Sequence, residues 1–145
     1  MAANDTLIFR VSLNAKIYRV LEVMADDSLY DLAGEIVKAF GFDFDHPFGY
    51  YSKLTGNYYR SPVKYELFAE MDDPPEDALG VSDTTAAEAF PEDKMKFLFL
   101  FDYGDQWAFR ITRTGSGQKD KAAEYPRVLK SVGEAPEQYP AVEED

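Results

Sequence analysis

The segment from Lys94 to Thr114 constrains the fold most, because it contains a strand that is apolar on both faces. Leu98 and Leu100 point to one side of this strand, and larger side chains point to the other. A strand of this kind belongs in the middle of a sheet that is covered on both sides. The alternating residues on the second side are Met95, Phe97, Phe99 and Phe101.

A tight turn follows this strand and predicts an aromatic hairpin. Gly104 and Asp105 suit the two central positions of a type II′ turn. Such a turn sets Asp102 opposite Trp107 and fixes the register of both strands. Trp107 is then expected to be largely buried, because apolar residues of both strands share its face.

The rest of the chain predicts an α+β fold built on a mostly antiparallel sheet. Alternating apolar residues at 7–13 and 17–23 predict an opening β-hairpin. Apolar residues at three- and four-residue steps from Leu29 to Phe40 predict one main helix, which ends at Gly41. The remaining predicted elements are short strands at 48–54, 58–60 and 63–69, a short second helix at 84–90 and the late aromatic β-hairpin.

The negative charge is concentrated in one segment. The chain has 145 residues and a formal net charge of −12, and Glu66 to Asp93 contains ten acidic residues and no basic one. A field of this sign argues against nucleic acid and anionic membranes as main partners. The segment is interpreted as a solvated loop at about 70–82 or as an acidic docking surface.

A second segment has an excess of positive charge. From Arg110 to Lys130 the chain has six basic and two acidic side chains. These cations suit phosphates, a carboxylate-rich partner or the chain's own acidic loop, and we favour the last.

The length is that of one ordinary domain, so residues 1–145 are expected to form a single domain. Residues 115–124 are rich in glycine, serine and lysine and predict a flexible link. Residues 141–145 are expected to be a frayed tail.

Several classes of protein are excluded by what the sequence lacks. It contains no cysteine, which excludes disulfide scaffolds and thiolate zinc sites and fits a cytoplasmic protein. No apolar run is long enough for a membrane span, and residues 1–10 do not resemble a signal peptide. No phosphate loop, dinucleotide fingerprint or Gly-x-Ser-x-Gly elbow occurs. We therefore expect no membrane contact and no cofactor.

Two groups of polar residues are candidates for chemistry. His46 follows Asp45 in the loop after the main helix, where it can bind a metal, act as a general base or hydrogen-bond within the loop. Asp102 and Asp105 flank the hairpin turn, where they can hold a hard cation or accept backbone and indole N–H groups. The two groups meet only if the loop after the helix folds over the hairpin tip.

Three segments carry a family resemblance. Phe99 to Ile111 is an aromatic strand followed by Asp-Tyr-Gly-Asp-x-Trp, Tyr125 to Val128 contains Tyr-Pro, and Gly133 to Tyr139 contains Pro-Glu-Gln-Tyr. With the helix end Ala39-Phe40-Gly41-Phe42, they resemble the plasmid Ri ORF-three-like family, also called TnpR-like, in its compact archaeal and bacterial form. The resemblance covers about residues 7–140 and implies a cytoplasmic protein without an established activity, sometimes carried on mobile elements. Members often have Trp-x-His where this chain has Trp107-Ala108-Phe109.

We interpret the chain first as a non-catalytic protein-interaction module whose partner is another protein. The alternatives are a carboxylate-centred enzyme or metal-binding protein, and a mobile-element-associated nucleic-acid factor. The sequence assigns no catalytic residue and no metal site, and it leaves the oligomeric state open. The candidate ligand or interaction cluster consists of Asp45, His46, Asp102, Asp105, Trp107 and Glu137.

Overall fold

A computed structural model describes residues 5–67 and 79–138 of the chain. The elements are β1 (Asp5–Asn14), β2 (Ile17–Met24), α1 (Leu29–Ala39), β3 (Phe48–Tyr51), a 3-10 turn (Tyr58–Arg60), β4 (Lys64–Glu66), β5 (Leu79–Gly80), α2 (Ala86–Ala89), β6 (Lys96–Phe101), β7 (Trp107–Gln118) and β8 (Arg127–Val132). The strands form one sheet in the order β5-β4-β3-β6-β7-β1-β2-β8, in which only the β4–β5 pair is parallel. The predicted α+β class, with its opening hairpin, main helix, short second helix and late hairpin, is confirmed.

The strand β6 lies inside the sheet, as its two apolar faces predict. It pairs with β3 on one side and with β7 on the other. Phe97, Phe99 and Phe101 are buried on the face that carries the helices. Leu100 is buried on the opposite face, and Leu98 is partly buried there.

The helix α1 covers one face of the sheet. Ser28 caps its N-terminus, where the serine hydroxyl accepts a hydrogen bond from the Asp31 N–H at 3.0 Å. The Tyr50 hydroxyl reaches from the sheet and donates to the Leu29 carbonyl at 2.6 Å. The residues that α1 buries lie on one stripe: Leu29, Leu32, Ala33, Ile36 and Val37.

The late hairpin has a longer loop than the two-residue turn that the sequence predicted. Phe101 pairs with Trp107, so the prediction that Asp102 lies opposite Trp107 is wrong by one position. Asp102 has a positive φ of 63°, and its carbonyl accepts a hydrogen bond from the Gln106 N–H at 2.6 Å. Residues 102–106 thus close the hairpin. Trp107 is partly buried and packs against the hydrophobic core.

The predicted flexible link at 115–124 is shorter in the structure. The strand β7 continues through Gln118 and pairs with β1 as far as Asp5. The backbone groups of β1 would otherwise lack partners on this side, which explains why a segment rich in glycine and serine is extended here. Residues 115–118 therefore belong to β7.

Part of the predicted acidic loop is also regular structure. Leu79 and Gly80 form β5, and Val81 is fully buried. Residues 70–78 of the predicted loop at 70–82, and the predicted tail 141–145, lie outside the described residues.

The face of the sheet opposite α1, called the open face below, is not covered by either described helix. Arg10, Ala108 and Arg110 are exposed on it. The edge strand β8 extends this face, and the sequence did not predict that strand. Four of its six residues, 128–131, are exposed, so its sequence lacks an apolar alternation.

Candidate functional site

The loop after α1 lies against the tip of the late hairpin. The Asp102 N–H donates to the Pro47 carbonyl at 2.9 Å, which joins the loop to the hairpin. The Gln138 side chain holds the loop from the C-terminal side: it accepts from the Asp43 N–H at 2.6 Å and donates to the Asp43 carbonyl at 3.1 Å. Its amide also donates to an Asp45 carboxylate oxygen at 3.1 Å. Three distant parts of the chain therefore meet here.

This junction places His46 between two carboxylates. The His46 Nε2 atom lies 3.6 Å from an Asp45 oxygen and 3.5 Å from an Asp102 oxygen. Asp102 is buried, whereas Asp45 and His46 are more accessible to solvent. A protonated imidazole forms an ion pair with both neighbours in this geometry. Three of the six candidate residues are thus close together.

The Asp102 side chain also holds the hairpin loop. One carboxylate oxygen accepts hydrogen bonds from the Gly104 N–H at 3.1 Å and the Asp105 N–H at 3.4 Å. Asp tolerates the positive φ found at this position better than most residues do. One residue therefore forms the turn and faces His46.

We expect Asp102→Ala to lower the free energy of unfolding by about 1–3 kcal/mol. Alanine loses both turn hydrogen bonds and tolerates the positive φ poorly. Asp102→Asn keeps an oxygen acceptor and the tolerance of this φ, so most of the stability should remain. Urea denaturation followed by circular dichroism measures both variants. Equal stability of Asp102→Ala and the wild type would show that the carboxylate does not support the turn.

The other three candidate residues do not join His46. Asp105 is exposed in the loop and contributes its backbone N–H to Asp102. The Trp107 ring packs on Phe42 with centroids 4.9 Å apart, and its buried Nε1 has no hydrogen-bond partner among the described residues. The prediction that Asp102 can accept the indole N–H is therefore wrong. Glu137 is exposed.

Gln138, next to Glu137, makes the contacts that sequence reasoning missed. The only signal was its place in the tail motif from Gly133 to Tyr139, which did not show what the glutamine binds. A carboxamide both donates and accepts, so it can satisfy a loop N–H and a loop carbonyl at once.

The described residues, 5–67 and 79–138, contain no group of three or more His, Asp or Glu side chains arranged to hold one metal ion.

A surface groove lies beside this junction, and we call it the aromatic groove. Its walls are the rings of Tyr30 and Phe44, whose centroids are 5.4 Å apart and whose exposed fractions are 40% and 38%. One depression of about 330 Å³ lies on the α1 side of these rings. A second depression of about 330 Å³ lies on the His46 side and reaches Phe48. Tyr30 and Phe44 line both depressions, and the aromatic groove comprises the two.

The Phe44 ring lies against Gly34 on the surface of α1. A Cβ atom added to Gly34 would be 3.5 Å from the Phe44 ring, which is ordinary van der Waals contact. Alanine therefore fits at this position, whereas a longer side chain would enter the groove.

Carboxylates line the α1 side of the aromatic groove. Asp27, Asp31 and Glu35 line this depression together with Gly34. Burial raises the pKa of the Asp27 carboxyl, while a hydrogen bond from the Met24 N–H acts in the opposite direction. A cation bound in the groove would favour the ionised form of Asp27.

A second polar cluster lies at the β3–β4 end of the open face. The Tyr51 hydroxyl donates to the buried Glu66 carboxylate at 2.5 Å and lies 2.7 Å from the Tyr103 hydroxyl. A Cβ at Gly49 would lie 2.7 Å from both hydroxyls, so only glycine leaves them room. This network joins the hairpin loop to β4, and nothing in the sequence pattern indicated it.

We expect Tyr50, Tyr51 and Tyr103 to remain un-ionised in the folded protein at about pH 11. Burial raises the pKa of all three phenols, and the hydrogen bond to Glu66 raises that of Tyr51 further. The free energy of unfolding should be unaffected by these phenols below the unfolded pKa of about 10. Above that pH it should fall, because the phenols ionise first in the unfolded chain. Ultraviolet absorbance of tyrosinate measures this. Complete ionisation by that pH with an unchanged circular dichroism spectrum would contradict the prediction.

The architecture defines the class of this protein: an α+β protein whose antiparallel sheet carries α1 on one face and leaves the other open. The chain belongs to the family described as plasmid pRiA4b ORF-3-like protein, whose sequence model matches residues 6–139. The family resemblance found in the sequence is thereby confirmed. No curated protein sequence matches the chain.

A solved structure shares the fold. The crystal structure of a protein of unknown function, MM3350 from Methanosarcina mazei Go1, matches with a TM-score of 0.73 and 16% sequence identity. The match covers 90% of this chain and 71% of that chain. At this identity the likeness shows the fold alone. Within the described residues, neither helix has the length and apolar character needed to cross a bilayer.

Proposed function

We propose that this chain is a protein-interaction module that binds a basic segment of another protein in the aromatic groove. The observation that carries the proposal is the exposure of Tyr30 and Phe44, at 40% and 38%, beside three carboxylates. Aromatic rings of this size are usually buried in a monomer, and an exposed pair with a polar rim is typical of an interaction surface. The proposal places the interaction in the cytoplasm, which a sequence without cysteine fits.

The chemistry of the groove selects the partner. A guanidinium can stack on Tyr30 or Phe44 while its N–H groups reach Asp31 or Glu35. An apolar neighbour in the same segment can occupy the depression on the His46 side of Phe44. A segment that combines arginine with an apolar residue therefore matches both halves of the groove.

The experiment is a fluorescence anisotropy titration with a short labelled peptide of arginine, leucine and glycine. Tyr30→Ser and Phe44→Ser should each weaken binding by about tenfold, because both remove a contact ring and leave the net charge unchanged. Affinity should also fall on acidification, as Asp27, with its raised pKa, becomes neutral.

Gly34 offers a matched pair of control variants. Gly34→Ala should bind like the wild type, because its methyl group makes only ordinary contact with Phe44. Gly34→Gln should weaken binding by about tenfold, because its longer side chain fills the groove.

A charge control separates groove binding from attraction to an acidic protein. Asp31→Asn and Glu92→Gln remove the same charge, but only Asp31 lines the groove and Glu92 is exposed beyond α2. We expect only Asp31→Asn to reduce affinity. Equal losses in both, with unchanged affinity in Tyr30→Ser and Phe44→Ser, would overturn the proposal.

A further inference from the structure

The open face of the sheet carries a group of cations on a chain whose net charge is −12. The strand register places Lys96, Arg10 and Lys130 in one row across the sheet: Lys96 and Arg10 both lie opposite Thr112, and Arg10 and Lys130 both lie opposite Val20. Residues that are directly opposite on neighbouring strands share a face. The row therefore runs from β6 to β8 on the open face.

Arg110 lies in the next row and completes a pair of arginines. It is opposite Ser12, two positions from Arg10 on β1, so Arg10 and Arg110 are diagonal neighbours. Side chains in such positions are about 7–8 Å apart at their bases and can reach one another. Two like charges at this spacing repel each other, and an anion bound by both would offset this repulsion.

Glu22, an acidic residue of this face, is engaged by other partners. Glu22 accepts hydrogen bonds from Arg127 at 2.7 and 2.9 Å and from the Thr6 hydroxyl at 2.6 Å. Within the described part of the chain, neither Arg10 nor Arg110 forms an ion pair, and Arg10 lies over the Tyr18 ring at 4.0 Å. Both guanidiniums thus keep N–H donors for a ligand.

A surface cavity of about 570 Å³ has both arginines in its lining. Ser12 and Asn14 add polar groups to this lining, and Leu54 and Leu98 add apolar ones. Small-molecule sites commonly have volumes of about 300–1,000 Å³ and combine apolar walls with a few polar groups. The cavity therefore has room for an anionic group and for an organic part beside it.

We propose that this cavity binds a phosphorylated small molecule, with Arg10 and Arg110 holding its phosphate and the leucines contacting its organic part. A phosphate monoester suits the pair better than a carboxylate, because it has a charge of about −1.5 to −2 near neutral pH and three acceptor oxygens. Guanidinium groups bind such oxygens in a bidentate manner. The site lies on the face opposite the aromatic groove and does not depend on the function proposed for that groove.

The test is isothermal titration of the full chain at low ionic strength with phenyl phosphate as the probe. We expect saturable binding with one site. Arg10→Gln combined with Arg110→Gln should weaken it by at least about tenfold. The matched control, Lys38→Gln with Lys121→Gln, loses the same charge from exposed positions on α1 and in the link and should bind like the wild type.

The arginine variants should fold, because both side chains are exposed and form no ion pair with described residues. Circular dichroism checks this, and Arg110→Gln alone serves if the double variant does not fold. Without ligand, Arg110→Gln should be at least as stable as the wild type, because it removes a like-charge neighbour.

Three results would overturn the proposal. One is the absence of phenyl phosphate binding at millimolar concentration. Another is equal binding by the arginine variant and the lysine control. The third is tighter binding of a single-stranded oligonucleotide or a polyglutamate peptide, lost in the same arginine variant, because the face would then serve an anionic macromolecule.

Discussion

Replacing Phe99 with alanine is expected to lower the free energy of unfolding by about 3–5 kcal/mol. Phe99 is fully buried in the middle of the sheet. Its ring centroid lies 5.0 Å from that of Tyr50, 5.8 Å from that of Phe48 and 6.0 Å from that of Phe109. The cavity left by alanine cannot collapse, because these neighbours belong to β3 and β7, the two strands that pair with β6. Denaturant unfolding followed by circular dichroism measures the loss.

The neighbouring residue on β6 provides the control for this prediction. Leu98 faces the open side of the sheet and is only partly buried, so Leu98→Ala should cost only about 1 kcal/mol. Equal losses for the two variants would contradict the assignment of the covered and open faces of β6.

Arg19→Met is expected to lower the free energy of unfolding by about 2–4 kcal/mol. The buried Arg19 guanidinium donates to four backbone carbonyls, those of Ala39, Tyr18, Val132 and Gly133, at 2.9 to 3.1 Å. These bonds connect the end of α1 to the end of β8. Methionine keeps the apolar stem, but it leaves these acceptors without their donor.

Hydrogen exchange distinguishes the expected outcome from a general loss of stability. Arg19→Met should increase the exchange rates, relative to those of the wild type, more in β8 and at the Asp43 amide that binds Gln138 than in β6. A uniform increase across the sheet would show that Arg19 does not specifically hold the C-terminal segment. Arg19→Lys should restore part of the stability, because an ammonium can still donate to some of these carbonyls.

The regular elements could be predicted because their apolar periodicity matches their burial. The apolar stripe from Leu29 to Phe40 packs on the sheet. The strand β6, which is apolar on both faces, lies inside that sheet. The hairpin register could not be predicted, because it depends on the positive φ of Asp102 and on the hydrogen bonds of its side chain. A glycine next to an aspartate indicated a turn, but it did not fix the length of that turn.

The meeting of Asp45, His46 and Asp102 was beyond sequence reasoning for a different reason. The sequence identified all three residues, but the contact requires the loop after α1 to lie on the hairpin tip. Gln138, which is 93 positions from Asp45, helps to hold that loop. Pairings over such separations come from the packing of the sheet, and local periodicity does not encode them.

The exposed surfaces were the least predictable part. Tyr30 belongs to the helical segment and Phe44 to the loop that follows, and neither position shows by its spacing that the two rings form a groove. The charge of the segment from Glu66 to Asp93 indicated a solvated loop or an acidic docking surface there. The groove instead gains its negative charge from α1 and the residues before it.

The most direct measurement of the proposed function is a nuclear magnetic resonance titration of the chain with the arginine, leucine and glycine peptide. The Gly34 amide and the ring signals of Tyr30 and Phe44 should shift together and saturate at the affinity found by anisotropy. The shifts of both rings and of the amide at position 34 should be absent in Gly34→Gln and present in Gly34→Ala. Shifts spread over acidic residues outside the groove, with the Gly34 amide and both rings unchanged, would contradict the aromatic groove as the binding surface.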